Sequence, residues 1–126
     1  MYNIGVIGCG YMGKAHLDNI PTNKVNITAV CDINKELADA TAEEYGAKAY
    51  YDAKQLIEDK NIQIVVIATY PASHLSILKM CLENKKHVLC EKPISDNIAD
   101  AQRFKDLVEQ NPDCKVAMGY ILRHNE

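Results

Sequence analysis

Ile64-Val65-Val66-Ile67-Ala68 is apolar at every position, without the alternation of a strand that keeps one face wet. That is the mark of a strand buried on both faces of a parallel sheet. Such a sheet needs helices on both sides, and the rest of the chain reads as their supply. Asn3 to Ile7, Ile27 to Cys31, Ala47 to Tyr51, His87 to Cys90 and Val116 to Gly119 read as further strands. Between them lie segments of helical period. One follows the first strand to about Asn19 and is stopped by Pro21; a second is capped by Asn34, carries Leu37, Ala38, Thr41 and Tyr45 on one face, and exits at Gly46. Asp52 and Gln55 resemble a capping box for a short helix to Asp59. Pro71 opens a helix bearing Leu75, Leu78 and Leu82; Ser95 caps one bearing Ile98, Ala101, Phe104 and Val108, closed by Asn111-Pro112. Strand and helix in alternation, six strands in all, predict an α/β fold with a doubly wound six-stranded parallel sheet, helices on both faces and right-handed crossovers.

In such sheets ligands sit beyond the carboxyl ends of the strands, where the strand order reverses. The first strand runs into Gly8-x-Gly10-x-x-Gly13, which opens a helix, and Asp32 ends the second strand roughly 20 residues further on. This context predicts a Rossmann-type fold and a dinucleotide ligand. Gly8 permits the tight turn, Gly10 lets the backbone approach a pyrophosphate, and Gly13 lets helix and strand pack closely. Free N–H groups near Tyr11 and Met12 attract the phosphate charge. Asp32 accepts hydrogen bonds from an adenosine ribose and repels the extra 2′-phosphate of NADP, so NAD is the expected cofactor; Lys35, three residues on, partly offsets that repulsion. A structural glycine turn and an S-adenosylmethionine site share the loop and the acid, and stay open at this point.

The fourth strand ends in Ala68-Thr69-Tyr70-Pro71-Ala72-Ser73-His74 and the fifth in Cys90-Glu91-Lys92-Pro93, both on the cofactor side. The second places an acid beside a base. A lysine gives or takes protons when its surroundings bring its pKa toward working pH, and Pro93 restricts the Lys92 backbone.

Gly-Cys-Gly-Tyr-Met-Gly at 8–13, Asp32, Ala-Thr-x-Pro-x-x-His at 68–74, Glu-Lys-Pro at 91–93 and Gly-Tyr-x-x-Arg at 119–123 together resemble the Gfo/Idh/MocA oxidoreductases. That family includes glucose–fructose oxidoreductase and inositol dehydrogenase, and the resemblance runs along the whole chain in order. It implies hydride transfer between a nicotinamide and a hydroxyl-bearing carbon of a sugar or polyol substrate. By the same resemblance Lys92 is the catalytic lysine, hydrogen-bonding the reacting oxygen. Glu91 helps hold the nicotinamide end, Thr69, Pro71 and His74 line the cofactor crevice, and Arg123 matches the arginine after the sixth strand. The Leu-Cys-Glu-Lys-Pro form looks close to that of inositol dehydrogenases. Two departures stand out: Lys85 replaces a glycine common before the fifth strand, with Asn84 expected to take the left-handed turn, and His124 replaces an aromatic residue.

Composition sets the remaining bounds. The 126 residues suffice for one domain with its own core, burying roughly two-thirds of the unfolded surface. A net charge of -3 with scattered basic residues leaves no electrostatic footprint for nucleic acid. No apolar run spans a bilayer and no leader precedes the first strand, so the expected location is cytoplasmic. Five cysteines without a C-x-x-C argue against a disulfide framework, and no His/Cys/Asp/Glu spacing suits a metal. Cys31, Cys81 and Cys90 read as small core hydrophobes, Cys9 as filler in the loop, His16 and His87 as structural, and Lys85-Lys86 as a solvated helix exit. His74, at a helix start beside the crevice, stands between the two readings. The relatives' second α/β domain, which supplies the substrate pocket, is expected to be absent from this chain, so residues 1–126 should bind the cofactor with little or no turnover. The bare edge strand at Val116–Gly119 is an expected site of self-association into a homo-oligomer. A stand-alone dinucleotide-binding or redox-sensing module without chemistry fits the same loop and Asp32. Methyl transfer, by contrast, has no use for Glu91-Lys92-Pro93.

Overall fold

The computed structural model describes residues 2–69, 71–91 and 98–119. Chain order is β1 (Tyr2–Ile7), α1 (Tyr11–Asn19), β2 (Val25–Cys31), α2 (Lys35–Tyr45), β3 (Lys48–Tyr50), α3 (Ala53–Ile57), β4 (Ile64–Ile67), α4 (Pro71–Glu83), β5 (His87–Glu91), α5 (Ile98–Gln110) and β6 (Val116–Gly119). All strands pair in parallel in the order β3-β2-β1-β4-β5-β6. The chain winds outward from β1 to β3, then returns to β4 and winds the other way, so the order reverses between β1 and β4.

Successive residues of a strand point to opposite faces, and each face of this sheet has its own cover. Val6, Val30 and Val66 pack with Leu17 of α1 and Ala42 of α2 on one side. Ile7, Cys31, Val65, Ile67, Val88 and Cys90 pack with α3, α4 and α5 on the other, where Leu56, Leu78 and Phe104 are fully buried. This double cover is the reason β4 carries no polar alternation. Among the described residues, no helix is long and apolar enough to cross a membrane.

Local signals act where they stand. The Asn34 side chain accepts from Leu37 N–H at 3.1 Å at the start of α2, Gly46 ends that helix at φ 66°, and Asp52 accepts from Lys54 N–H at 3.1 Å at the start of α3. The expected cap at Ser95 lies outside the described residues.

The exit of α4 departs from expectation. Lys85 itself, not Asn84, takes the left-handed turn, at φ 60°. Lys86 N–H bonds to Cys81 O at 2.9 Å and Lys85 N–H to Leu82 O at 3.1 Å, the paired closure that a left-handed residue permits. Nor is Lys86 solvated: it is 6% exposed, and its ammonium donates to Asp59 O at 2.8 Å and Ile62 O at 2.5 Å. Its ammonium thus ties down the α3–β4 connection, and burial pulls its pKa below the ordinary lysine value.

Candidate functional site

The carboxyl ends of β1, β2, β4 and β5 bring the glycine loop, Asp32, Thr69 and Glu91 to one side of the sheet. Gly8 turns the chain at φ 104°, and a Cβ there would stand 2.6 Å from Ala68 O, so the loop rests directly on the β4 exit. A Cβ on Gly13 would stand 1.7 Å from Gly8 O; α1 touches the end of its own strand with no room for a methyl group. Gly10 is the opposite case, with nothing within 4 Å of an added Cβ. It is the N-cap of α1, without a capping side chain and with no acidic residue in the first turn. The start of α1, with Tyr11 and Met12, therefore presents unfilled space and the positive end of the helix dipole, which suits a pyrophosphate.

Asp32 is held in place by backbone. Its Oδ2 accepts from Cys9 N–H at 2.9 Å and its Oδ1 from Asn34 N–H at 2.9 Å. Its own N–H donates to Tyr50 O at 3.1 Å. The Cys9 thiol reaches Cys31 O at 3.4 Å and Gly8 N–H donates to the same oxygen at 2.8 Å, so the glycine loop is tied to the β2 exit three times. A carboxylate oxygen with one N–H partner retains a lone pair, and the oriented acid can still receive ribose hydroxyls. This clamp was invisible in the sequence because its donors are main-chain groups. Cys9 is fully buried and burial pushes its thiol up, while the Cys31 thiol is pushed up to about 12, chiefly by burial, which disfavours the thiolate at both. All five cysteines are buried.

Beside Asp32 the Ile33 side chain is 90% exposed, an apolar surface that the sequence reading passed over. Lys35 turns toward Tyr51, its ammonium 5.6 Å from the ring centroid, and Tyr51 O–H donates to Asp39 Oδ1 at 2.5 Å. The lysine expected to soften repulsion of a 2′-phosphate thus has an aromatic partner on its other side.

Across the switch point, Thr69 follows β4, Pro71 is the first residue of α4 and Glu91 the last of β5. Thr69 Oγ1 and Ser73 Oγ share a hydrogen bond of 2.6 Å. His74 is 1% exposed: Nε2 lies 2.8 Å from Thr69 O and Nδ1 3.3 Å from Cys90 Sγ. His16 is buried in α1, and the half-buried His87 accepts at Nδ1 from Lys115 N–H at 3.0 Å. Lys92, Pro93, Tyr70, Arg123 and His124 lie outside the described residues. A shallow apolar groove along Tyr2, Ile64, Leu89 and Ala117 opens over the β4–β6 side and contains none of the predicted site residues.

A doubly wound sheet with a glycine turn and a clamped acid at its switch point defines a dinucleotide-binding domain. Comparison with known proteins narrows this: the family model for the Gfo/Idh/MocA oxidoreductase family, NAD-binding Rossmann fold, matches residues 2–120, and the chain belongs to that family. An inositol 2-dehydrogenase of Salmonella paratyphi B is 32% identical over 97% of this chain. An inositol 2-dehydrogenase of Rubrobacter xylanophilus is 38% identical, also over 97%. The structure of scyllo-inositol dehydrogenase from Lactobacillus casei with bound NAD(H) and scyllo-inositol superimposes with a TM-score of 0.90 at 26% identity, covering 98% of this chain. This chain spans 38% of the Salmonella protein, 36% of the Rubrobacter protein and 37% of the Lactobacillus chain.

Proposed function

We propose that residues 1–126 are the NAD-binding domain of a cytoplasmic two-domain dehydrogenase whose substrate is a polyol, with inositols the first candidates. The observation that carries this reading is the Asp32 carboxylate, clamped by Cys9 N–H and Asn34 N–H beside the open start of α1. One end of the sheet then takes the adenosine ribose on Asp32, with Ile33 offering the adenine an apolar surface. The centre takes the pyrophosphate at Gly10, Tyr11 and Met12. The nicotinamide falls near Thr69 and Glu91, on the other side of the switch point. Bound there, the nicotinamide supplies the hydride acceptor or donor.

The residues of this chain bind and orient, and Lys92, following β5, holds the reacting oxygen and moves its proton. A second domain shields this face from water and supplies the substrate wall, so the 126-residue chain binds NADH and turns over little by itself. The test is a substrate panel of inositols with NAD in the two-domain protein, with Lys92→Ala in parallel. Turnover should fall by roughly three orders of magnitude or more while NADH affinity stays within about twofold. Full activity of Lys92→Ala would remove the lysine from the chemistry.

A further inference from the structure

We infer that His74 is a positioning residue: it sets the nicotinamide end of the site through a buried tie between the β4 and β5 exits, and does not itself touch the dinucleotide. The inference rests on the NAD-binding reading above. Its starting point is burial, since a ring 1% exposed has almost no surface to offer a ligand. Both ring nitrogens are already engaged within the protein. A carbonyl oxygen is only an acceptor, so Nε2 carries the proton and donates to Thr69 O; Nδ1 then accepts from the Cys90 thiol. One tautomer satisfies both contacts.

What the tie connects gives it its meaning. The β4–β5 ladder ends at the Ile67–Cys90 pair. Thr69 lies two residues past that last pair, where ladder pairing no longer fixes the distance between the two strand exits. His74, on the first turn of α4, spans this gap. On one side it fixes the carbonyl at the crevice mouth; on the other it holds the residue directly before Glu91 and two before Lys92. The Thr69–Ser73 hydroxyl pair anchors the same turn a second time. A leucine could fill the volume, but it could not hold a carbonyl and a thiol in fixed relation.

The test compares NADH with ADP-ribose, which keeps the Asp32 and glycine-loop contacts and lacks the nicotinamide. The wild-type chain should bind both, NADH more tightly. His74→Ala should weaken NADH roughly tenfold and leave ADP-ribose within about twofold. Cys90→Ala should show the same selectivity with a smaller loss. His74→Gln, whose amide nitrogen can take the place of Nε2, should recover most of the NADH affinity. Equal losses for both ligands would mean a merely structural histidine and overturn the inference, as would no loss for either, or wild-type affinities that are equal. If His74→Ala does not fold, Cys90→Ala decides by the same criterion. Failure of the wild-type chain to bind ADP-ribose is a separate result, and would sink the dinucleotide site itself.

Discussion

Gly13→Ala sets two physical effects of opposite sign against each other. Gly13 is in the first turn of α1, and helix propensity alone makes alanine the better residue by up to about 1 kcal/mol. The close approach says otherwise. The new Cβ would lie 1.7 Å from Gly8 O and 2.7 Å from Gly8 C, both rigid main-chain atoms. An ordinary carbon–oxygen contact is about 3.2 Å, so α1 must retreat by roughly 1.5 Å. That shift opens a gap beneath His16 and Leu17, the buried face of the helix. Burial of two such side chains is worth about 5 kcal/mol, and a gap of this size forfeits roughly half of the packing. Set against the propensity gain, the net loss is about 1.5 kcal/mol, or roughly 6 °C in Tm for a chain of this length. Thermal unfolding followed by circular dichroism measures it. Gly10→Ala is the matched control. With nothing within 4 Å of its added Cβ, it should stay within about 1 kcal/mol of wild type yet lose NADH affinity, because the methyl group enters the open cradle. A Gly13→Ala protein as stable as wild type, or more so, would refute the close-packing argument.

Further outcomes follow from the scaffold. Lys85→Gly should stabilise the fold by about 1 kcal/mol in urea unfolding, because φ 60° strains a lysine and suits a glycine. Tyr50→Phe tests a pH-dependent bond: Tyr50 O–H donates to Asp59 Oδ2 at 2.7 Å. That bond, with help from Asn61 N–H, holds the Asp59 carboxyl below its usual 3.8, while burial and the same bond hold Tyr50 above 10.0. The Asp59 contribution is present above about pH 3.8 and is lost as pH falls through the lowered folded value. The Tyr50 contribution is present below about pH 10 and is lost as pH rises through the raised one. The stability gap between wild type and Tyr50→Phe should therefore be widest in between, about 1 kcal/mol for a half-exposed pair, and close at both extremes. A gap independent of pH would show that the hydroxyl acts only by packing.

Much of this architecture was legible because it is written in local, periodic signals. The unbroken apolar run of β4, the caps at Asn34 and Gly46 and the glycine spacing each depend on residues close in sequence, and each element formed where those signals stood. The roles of Gly8 and Gly13 were readable for the same reason. The parts that were not legible are long-range and involve main-chain atoms. Asp32 is oriented by Cys9 N–H, 23 residues away, and no residue type announces a backbone donor. Lys86 reads as solvent-facing by composition, and only the fold brings the Asp59 and Ile62 carbonyls to its ammonium. His74 was placed at the crevice by its position at a helix start, whereas its burial depends on where the β5 exit passes.

The central claim is that Asp32 and the glycine loop form an NAD-selective dinucleotide site. Titration of the chain with NADH and with NADPH, followed by nicotinamide fluorescence, tests it most directly. Asp32 is oriented by Cys9 N–H and Asn34 N–H while Lys35 is turned to Tyr51, so with the ribose on Asp32 as proposed NADH should bind at least roughly tenfold more tightly, and Asp32→Ala should narrow the difference. Equal or tighter binding of NADPH by the wild-type chain would contradict the account.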